Sequence, residues 1–85
     1  MQDKATLLLY GTEACHLCEL AEDIVSATIA SSTPEWGYRK VDIAESEDLF
    51  ERYGWVIPVL AAPDGSELRW PFDQPALEAF LLSLP

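Results

Sequence analysis

The sequence predicts an α/β domain whose elements follow the order β-α-β-α-β-β-α. Three observations predict it. An unbroken apolar run, Leu7-Leu8-Leu9-Tyr10, stops at Gly11, as a central strand covered on both faces does. The segment around and after Cys18 has a helical period: Leu17, Leu20, Ala21, Ile24, Val25 and Thr28 recur on one side, with Glu19, Glu22, Asp23 and Ser26 on the other. A second extended stretch follows and completes a strand, helix, strand unit, whose two strands are expected to be parallel with a right-handed crossover.

Ser31-Ser32-Thr33-Pro34 ends the first helix, because hydroxyl residues followed by proline do not continue one. Gly37 to Ile43 is the second strand, with Val41 and Ile43 placed to point inward. Ser46 to Tyr53 reads as a short helix. Leu49, Phe50 and Tyr53 form its apolar side, Asp48 and Arg52 make a favourable i, i+4 pair, and Gly54 is placed to end it in the left-handed conformation. Trp55 to Ala62 is a β-branched apolar run interrupted by Pro58. Pro63-Asp64-Gly65-Ser66 is a turn, and Glu67-Leu68-Arg69-Trp70 returns from it as the second strand of a hairpin. Asp73 or Gln74 caps the last helix, Pro75 fits its first turn, and Leu77, Phe80, Leu81 and Leu84 form its buried stripe.

With 85 residues and 49% hydrophobic content, the chain has apolar material for one core and too little length for two, so residues 1–85 are expected to form a single domain. No run approaches the length that crosses a bilayer. Met1-Gln2-Asp3-Lys4 lacks the basic start of a secretory signal, so a cytoplasmic location is expected. In that compartment a pair of cysteines is better read as redox or metal chemistry than as a structural staple. The formal net charge of -10 argues against nucleic acid and anionic membranes as partners and favours neutral or basic ones. The same acidity also serves solubility in a small domain, here expected to be a monomer.

Cys15-His16-Leu17-Cys18 stands where the first strand hands over to the helix. If Cys15 is the N-cap, Cys18 falls at N3. Residues three apart on a helix have Cβ atoms about 5 to 6 Å apart, so a modest adjustment brings the two sulfurs within disulfide reach.

The Cys-X-X-Cys after the first strand, with Val41-Asp42 and Ile57-Pro58-Val59 following in order, resembles the thioredoxin superfamily and, within it, the small glutaredoxin-like branch. Nearly the whole chain shares the resemblance. It implies a four-stranded mixed sheet with helices on both faces, a cis peptide at Pro58 packed beside the redox pair, and thiol:disulfide exchange that needs no bound organic cofactor. It also implies that the Ile57 backbone, next to Pro58, bonds an extended substrate as a short added strand. The chain departs from the family pattern in several places. Ala14 stands where thioredoxins carry Trp, and His16-Leu17 replaces their Gly-Pro and the Pro-Tyr of many glutaredoxins. Thr12, with Glu13 beside it, occupies the approximate place of a lysine that pairs with a glutathione carboxylate. Trp70-Pro71-Phe72-Asp73 corresponds to a Gly-Gly-X-Asp segment that holds the γ-glutamyl end, and only Asp73 survives. These departures argue against tight glutathione binding and leave glutathione as a reductant or substrate.

Exchange requires an exposed thiolate that attacks a disulfide and a second thiol that resolves the mixed disulfide. Cys15, at the helix N-terminus, is the attacking residue on this reading, and Cys18, one turn further in, resolves. Glu13 and Glu19 oppose the Cys15 thiolate: a carboxylate about 6 Å away repels it by roughly 0.7 to 2.8 kcal/mol. The helix terminus contributes roughly 0.3 to 2 kcal/mol the other way. Terms this close describe a reductant rather than a strong oxidant. His16 is a candidate proton acceptor, weighed against a surface side chain in the first turn. Trp55, Trp70 and Phe72 divide between core packing and a docking patch. Disulfide-bearing proteins or small thiols are the expected partners, with glutathione or a reductase as electron donor. Two other readings use the same fold. In one, Cys15 and Cys18 bind a metal or an iron-sulfur cluster whose shell a second subunit or glutathione completes. In the other, the domain is a redox-inert interaction module.

Overall fold

β1 (Thr6–Gly11) is the inner strand on which the other elements are laid, and its residues alternate between the two faces of the sheet. The computed structural model describes residues 6–84; Met1-Gln2-Asp3-Lys4, read above for a signal, lies outside them. After β1 come α1 (His16–Ser32), β2 (Gly37–Asp42), α2 (Glu47–Tyr53), β3 (Val59–Ala61), β4 (Glu67–Arg69) and α3 (Gln74–Leu82). The sheet is four-stranded and mixed, in the order β2-β1-β3-β4. β2 runs parallel to β1, whereas β3 and β4 are antiparallel to their neighbours. The α/β expectation and its element order therefore hold.

The two faces of β1 carry different cores. Leu7 and Leu9 join Leu60 of β3 under α1 and α3, which supply Ala21, Val25, Leu77 and Leu81. On the opposite face Tyr10 and Val59 meet Ile43 and Tyr53 beneath the shorter α2. The Tyr10 and Tyr53 rings stack with centroids 4.5 Å apart. Each helix has the cap its sequence calls for. The Ser46 hydroxyl accepts from the Leu49 N–H at 3.3 Å, and Asp73 accepts from the Ala76 N–H at 2.9 Å with Pro75 in the first turn. Gly65 supplies the left-handed residue of the β3–β4 turn at φ 94°.

Several local expectations fail, among them Phe50, which is 57% exposed because α2 turns Tyr53 to the core and Phe50 outward. Leu17 and Leu20 are 46% and 40% exposed, because the buried stripe of α1 is Cys18, Ala21, Val25 and Thr28, rotated one position from the strongest apolar pattern. Ile43 is buried as expected, but it begins a 3-10 turn (Ile43–Glu45) after β2 ends; the Asp42 carboxylate accepts from the Ala44 N–H at 2.9 Å and bends the chain there. Gly54 is right-handed, at φ -56°, because the chain continues through further turns onto the Tyr53 carbonyl. Glycine is needed there for space: a Cβ would lie 2.6 Å from the Phe50 carbonyl oxygen. Arg52 forms no ion pair with Asp48; its guanidinium carbon lies 5.2 Å from the centroid of the Tyr53 ring.

Tyr53 also ties α2 to β4, since its hydroxyl donates to Glu67 Oε2 at 2.6 Å. That bond, followed by burial and the charge of Glu67, pushes the phenol up to about 12 from its ordinary 10.0. A phenol held protonated in the folded state stabilises the fold fully below its unfolded value. The contribution fades as pH rises from about 10 towards about 12. Urea unfolding across that window is expected to show stability falling with pH in the wild type and a shallower fall in Tyr53→Phe. Equal slopes would refute this role for the Tyr53–Glu67 bond.

Candidate active site

The cysteine pair sits at the N-terminal end of α1, where extended backbone at Cys15 meets the first helical turn at His16. Cys15 is the N-cap, and its Sγ accepts a hydrogen bond from the Cys18 N–H at 3.1 Å. The two residues are joined by a disulfide across a Cα–Cα distance of 5.2 Å. Cys15 is half-buried, whereas Cys18 heads the buried stripe of α1. Cys15 is thus the more accessible of the two and Cys18 the more covered.

The end of the sheet forms the floor. Gly11 pairs with Asp42 across β1 and β2. Extending the β1–β3 register one residue past Tyr10 and Val59 places Pro58 opposite Gly11. The Trp70 N–H donates to the Pro58 carbonyl at 3.3 Å, so Asp42, Gly11, Pro58 and Trp70 form one row across the sheet. Gly11 approaches the redox pair closely: a Cβ on it would stand 2.7 Å from Cys18 Sγ. Within that row Gly11 is the residue that touches the redox pair, and Pro58 is its neighbour on β3. The Ile57–Pro58 peptide is cis, as is Trp70–Pro71.

The other candidates separate. Ile57 lies half-buried one residue before Pro58, its N–H donating to the Tyr53 carbonyl at 3.1 Å and so already committed within the chain. Thr12 lines a cavity of about 340 Å³ that also borders Gly11 and Cys18. Asp73 is not free, since its carboxylate caps α3. Trp70 packs edge-on against buried Phe72 with centroids 5.2 Å apart, which makes both part of the scaffold. Trp55 is the opposite case, 96% exposed in the loop between α2 and Ile57. The His16 ring is at the surface, with Nδ1 3.9 Å from Glu19 Oε1, and its neighbour in charge is that carboxylate. Among the described residues no cluster of three or more His, Cys, Asp or Glu side chains is arranged to hold a metal ion.

Sequence reasoning missed Gly11 and the side of the site beyond it. Gly11 was legible only as a strand terminator; its position directly before the Cys-X-X-Cys loop was the available signal of a close approach. The cavity is completed by Glu19 and Glu22 of α1, by Lys40, Val41 and Asp42 of β2, and by Glu13 and Glu45. Glu22 follows Cys18 by four, so helical spacing alone puts it on the same face. The Lys40 ammonium lies 3.4 Å from Glu22 Oε1, and the Tyr38 hydroxyl donates to Glu22 Oε2 at 2.8 Å. Burial first, and then that bond to Glu22, pushes the Tyr38 phenol upward. No helix among the described residues is long and apolar enough to cross a membrane.

Comparison with known proteins gives the same answer as the geometry. Residues 6–82 match the family profile described as Glutaredoxin-like domain (DUF836). The X-ray structure of protein XcR50 from X. campestris superposes with a TM-score of 0.80 at 38% identity, covering 93% of this chain and 99% of that one. The solution structure of protein Ne2328 from Nitrosomonas europaea gives 0.74 at 26% identity, covering 94% of each. A malarial protein at 15% identity, with a TM-score of 0.66 and 91% and 92% of the two chains covered, shares the fold. No curated protein matches the chain. With a family profile spanning nearly its whole length, an XcR50-like fold and a Cys-X-X-Cys disulfide at the head of α1, the chain belongs to the glutaredoxin-like domain family.

Proposed function

We propose that the protein is a thiol:disulfide oxidoreductase that works as a reductant. The observation that carries this is the asymmetry of the Cys15–Cys18 disulfide, with a half-buried capping sulfur and a buried partner one turn along the helix. In the reduced protein the Cys15 thiolate attacks a substrate disulfide, forms a mixed disulfide and releases one substrate thiolate, which takes up a proton. Cys18 then gives up its proton and attacks Cys15 Sγ, which releases the second substrate thiol. The protein is left as the disulfide, and two electrons have passed to the substrate.

Pro58 lies opposite Gly11 in the sheet row that reaches the redox pair, and with the Ile57 N–H bonded to Tyr53 it is the accessible Cys15 that a substrate meets. Disulfide-bearing proteins or small thiols are the partners this chemistry takes. The cytoplasmic location expected from the sequence fits a reducing electron donor such as glutathione or a reductase. Cys18→Ser is expected to accumulate a mixed disulfide on Cys15 that non-reducing mass spectrometry detects, whereas Cys15→Ser is expected to lose exchange altogether. Equal activity in the two variants would reverse the assignment.

A further inference from the structure

We infer that the substrates of this site are disulfides carrying positive charge next to the scissile bond, and that the wall beyond Gly11 selects them. The inference rests on the oxidoreductase reading and names the substrate class of that same site. Two independent observations meet here. One is the redox pair itself, whose Cys18 forms part of the cavity wall. The other is what faces it: Glu13, Glu19, Glu22, Asp42 and Glu45 line the same cavity, with Lys40 the only cation among them.

Most of these charges have local employment. Lys40 is held by Glu22, so it is not free to receive an anionic substrate. Asp42 caps the turn at Ala44, and Glu19 lies near His16. Glu13 and Glu45 are exposed and, among the described residues, have no hydrogen bond or ion pair. They are the carboxylates left to meet a ligand. Charges lining a concave wall focus the field within it and raise the local concentration of oppositely charged ligands. At physiological ionic strength this persists over about 8 Å, and Glu13, two residues before Cys15, carries it to the arm of a disulfide docked there. An ammonium or guanidinium two carbons from the reacting sulfur would be drawn in, and a carboxylate in that place would be repelled.

Three disulfides with the same two-carbon arm separate charge from shape: cystamine, ending in ammonium, hydroxyethyl disulfide, ending in hydroxyl, and dithiodipropionate, ending in carboxylate. Each oxidises the dithiol to the protein disulfide and leaves as two thiols, so one substrate bond is broken and one protein bond formed. Pre-reduced, desalted protein is mixed with each in turn, quenched with an alkylating agent and weighed by mass spectrometry. Each rate is divided by that of dithiothreitol with the same disulfide, which removes intrinsic differences in reactivity. The expected order is cationic, neutral, anionic, spanning about tenfold or more at low ionic strength. The span is expected to contract in high salt and to collapse in the double variant Glu13→Lys, Glu45→Lys.

Normalised rates within about twofold of one another, in a protein that reduces the neutral disulfide, would overturn the charge selection and leave the oxidoreductase reading standing. A span that persists unchanged in high salt would overturn it too, without relying on the double variant. If none of the three oxidises the reduced protein, the oxidoreductase reading falls and the selection with it.

Discussion

Leu60→Ala is expected to cost about 2 to 5 kcal/mol of folding stability. Leu60 is fully buried in the central part of β3, paired in register with Leu9 on one side and Leu68 on the other. It faces the core shared by α1 and α3, so truncation opens a cavity between the sheet and both helices. With total stabilities of about 0.05 to 0.15 kcal/mol per residue, a chain of 85 residues has about 4 to 13 kcal/mol to lose. The variant is therefore expected to have a much lower urea midpoint, or to be unfolded in buffer. Leu82→Ala, at a side chain 84% exposed at the end of α3, is the control and is expected to change stability by less than about 0.5 kcal/mol. Similar midpoints for the two variants would contradict the core assigned here.

Gly11→Ala is expected to destabilise the oxidised protein by about 1 to 3 kcal/mol and to slow exchange. The direction is informative because the ordinary effect of this substitution is opposite. Gly11 has no positive φ, and replacing such a glycine with alanine usually stabilises by about 0.4 to 1 kcal/mol through the unfolded state. At Gly11 the new methyl would stand 2.7 Å from Cys18 Sγ and 3.2 Å from Cys18 Cβ. Neither the strand end nor the disulfide can yield without disturbing the other. A double-mutant cycle with Cys18→Ala isolates the contact, because removing the sulfur should restore most of the loss. A Gly11→Ala penalty that is unchanged in the Cys18→Ala background would place its cause elsewhere.

How much of this was legible in the sequence depended on whether a signal was local. The order of elements followed from apolar runs and turn residues, and the placing of Cys18 at N3 followed from helix geometry on the condition, met by the structure, that Cys15 is the N-cap. The rotation of α1 was harder to see. Leu17 and Leu20 have the hydrophobicity of core residues, yet the sheet lies on the side of Cys18 and Ala21, and only the position of β1 decides that. Gly54 announced a helix end but not its handedness, since the constraint was a contact with the Phe50 carbonyl rather than a backbone angle. The cavity beside Cys18 was least legible. Its walls come from α1, β2 and the 3-10 turn, and the pairing of Glu22 with Lys40 depends on a parallel register that no local pattern reveals. Trp55 is almost fully exposed and Trp70 half-buried against Phe72, because one follows the end of α2 and the other closes the sheet row at Pro58.

The sulfur cap on α1 has a consequence for how the two oxidation states compare. An ordinary N-cap uses oxygen; here the acceptor is Cys15 Sγ, the atom that would also carry the chemistry. Reduction opens a short covalent ring, whose closure constrains only a few residues of the unfolded chain. In return the freed sulfur can hold charge, and a hydrogen bond to a charged acceptor is roughly twice as strong as to a neutral one. Loss and gain fall on the same turn of helix and have opposite signs.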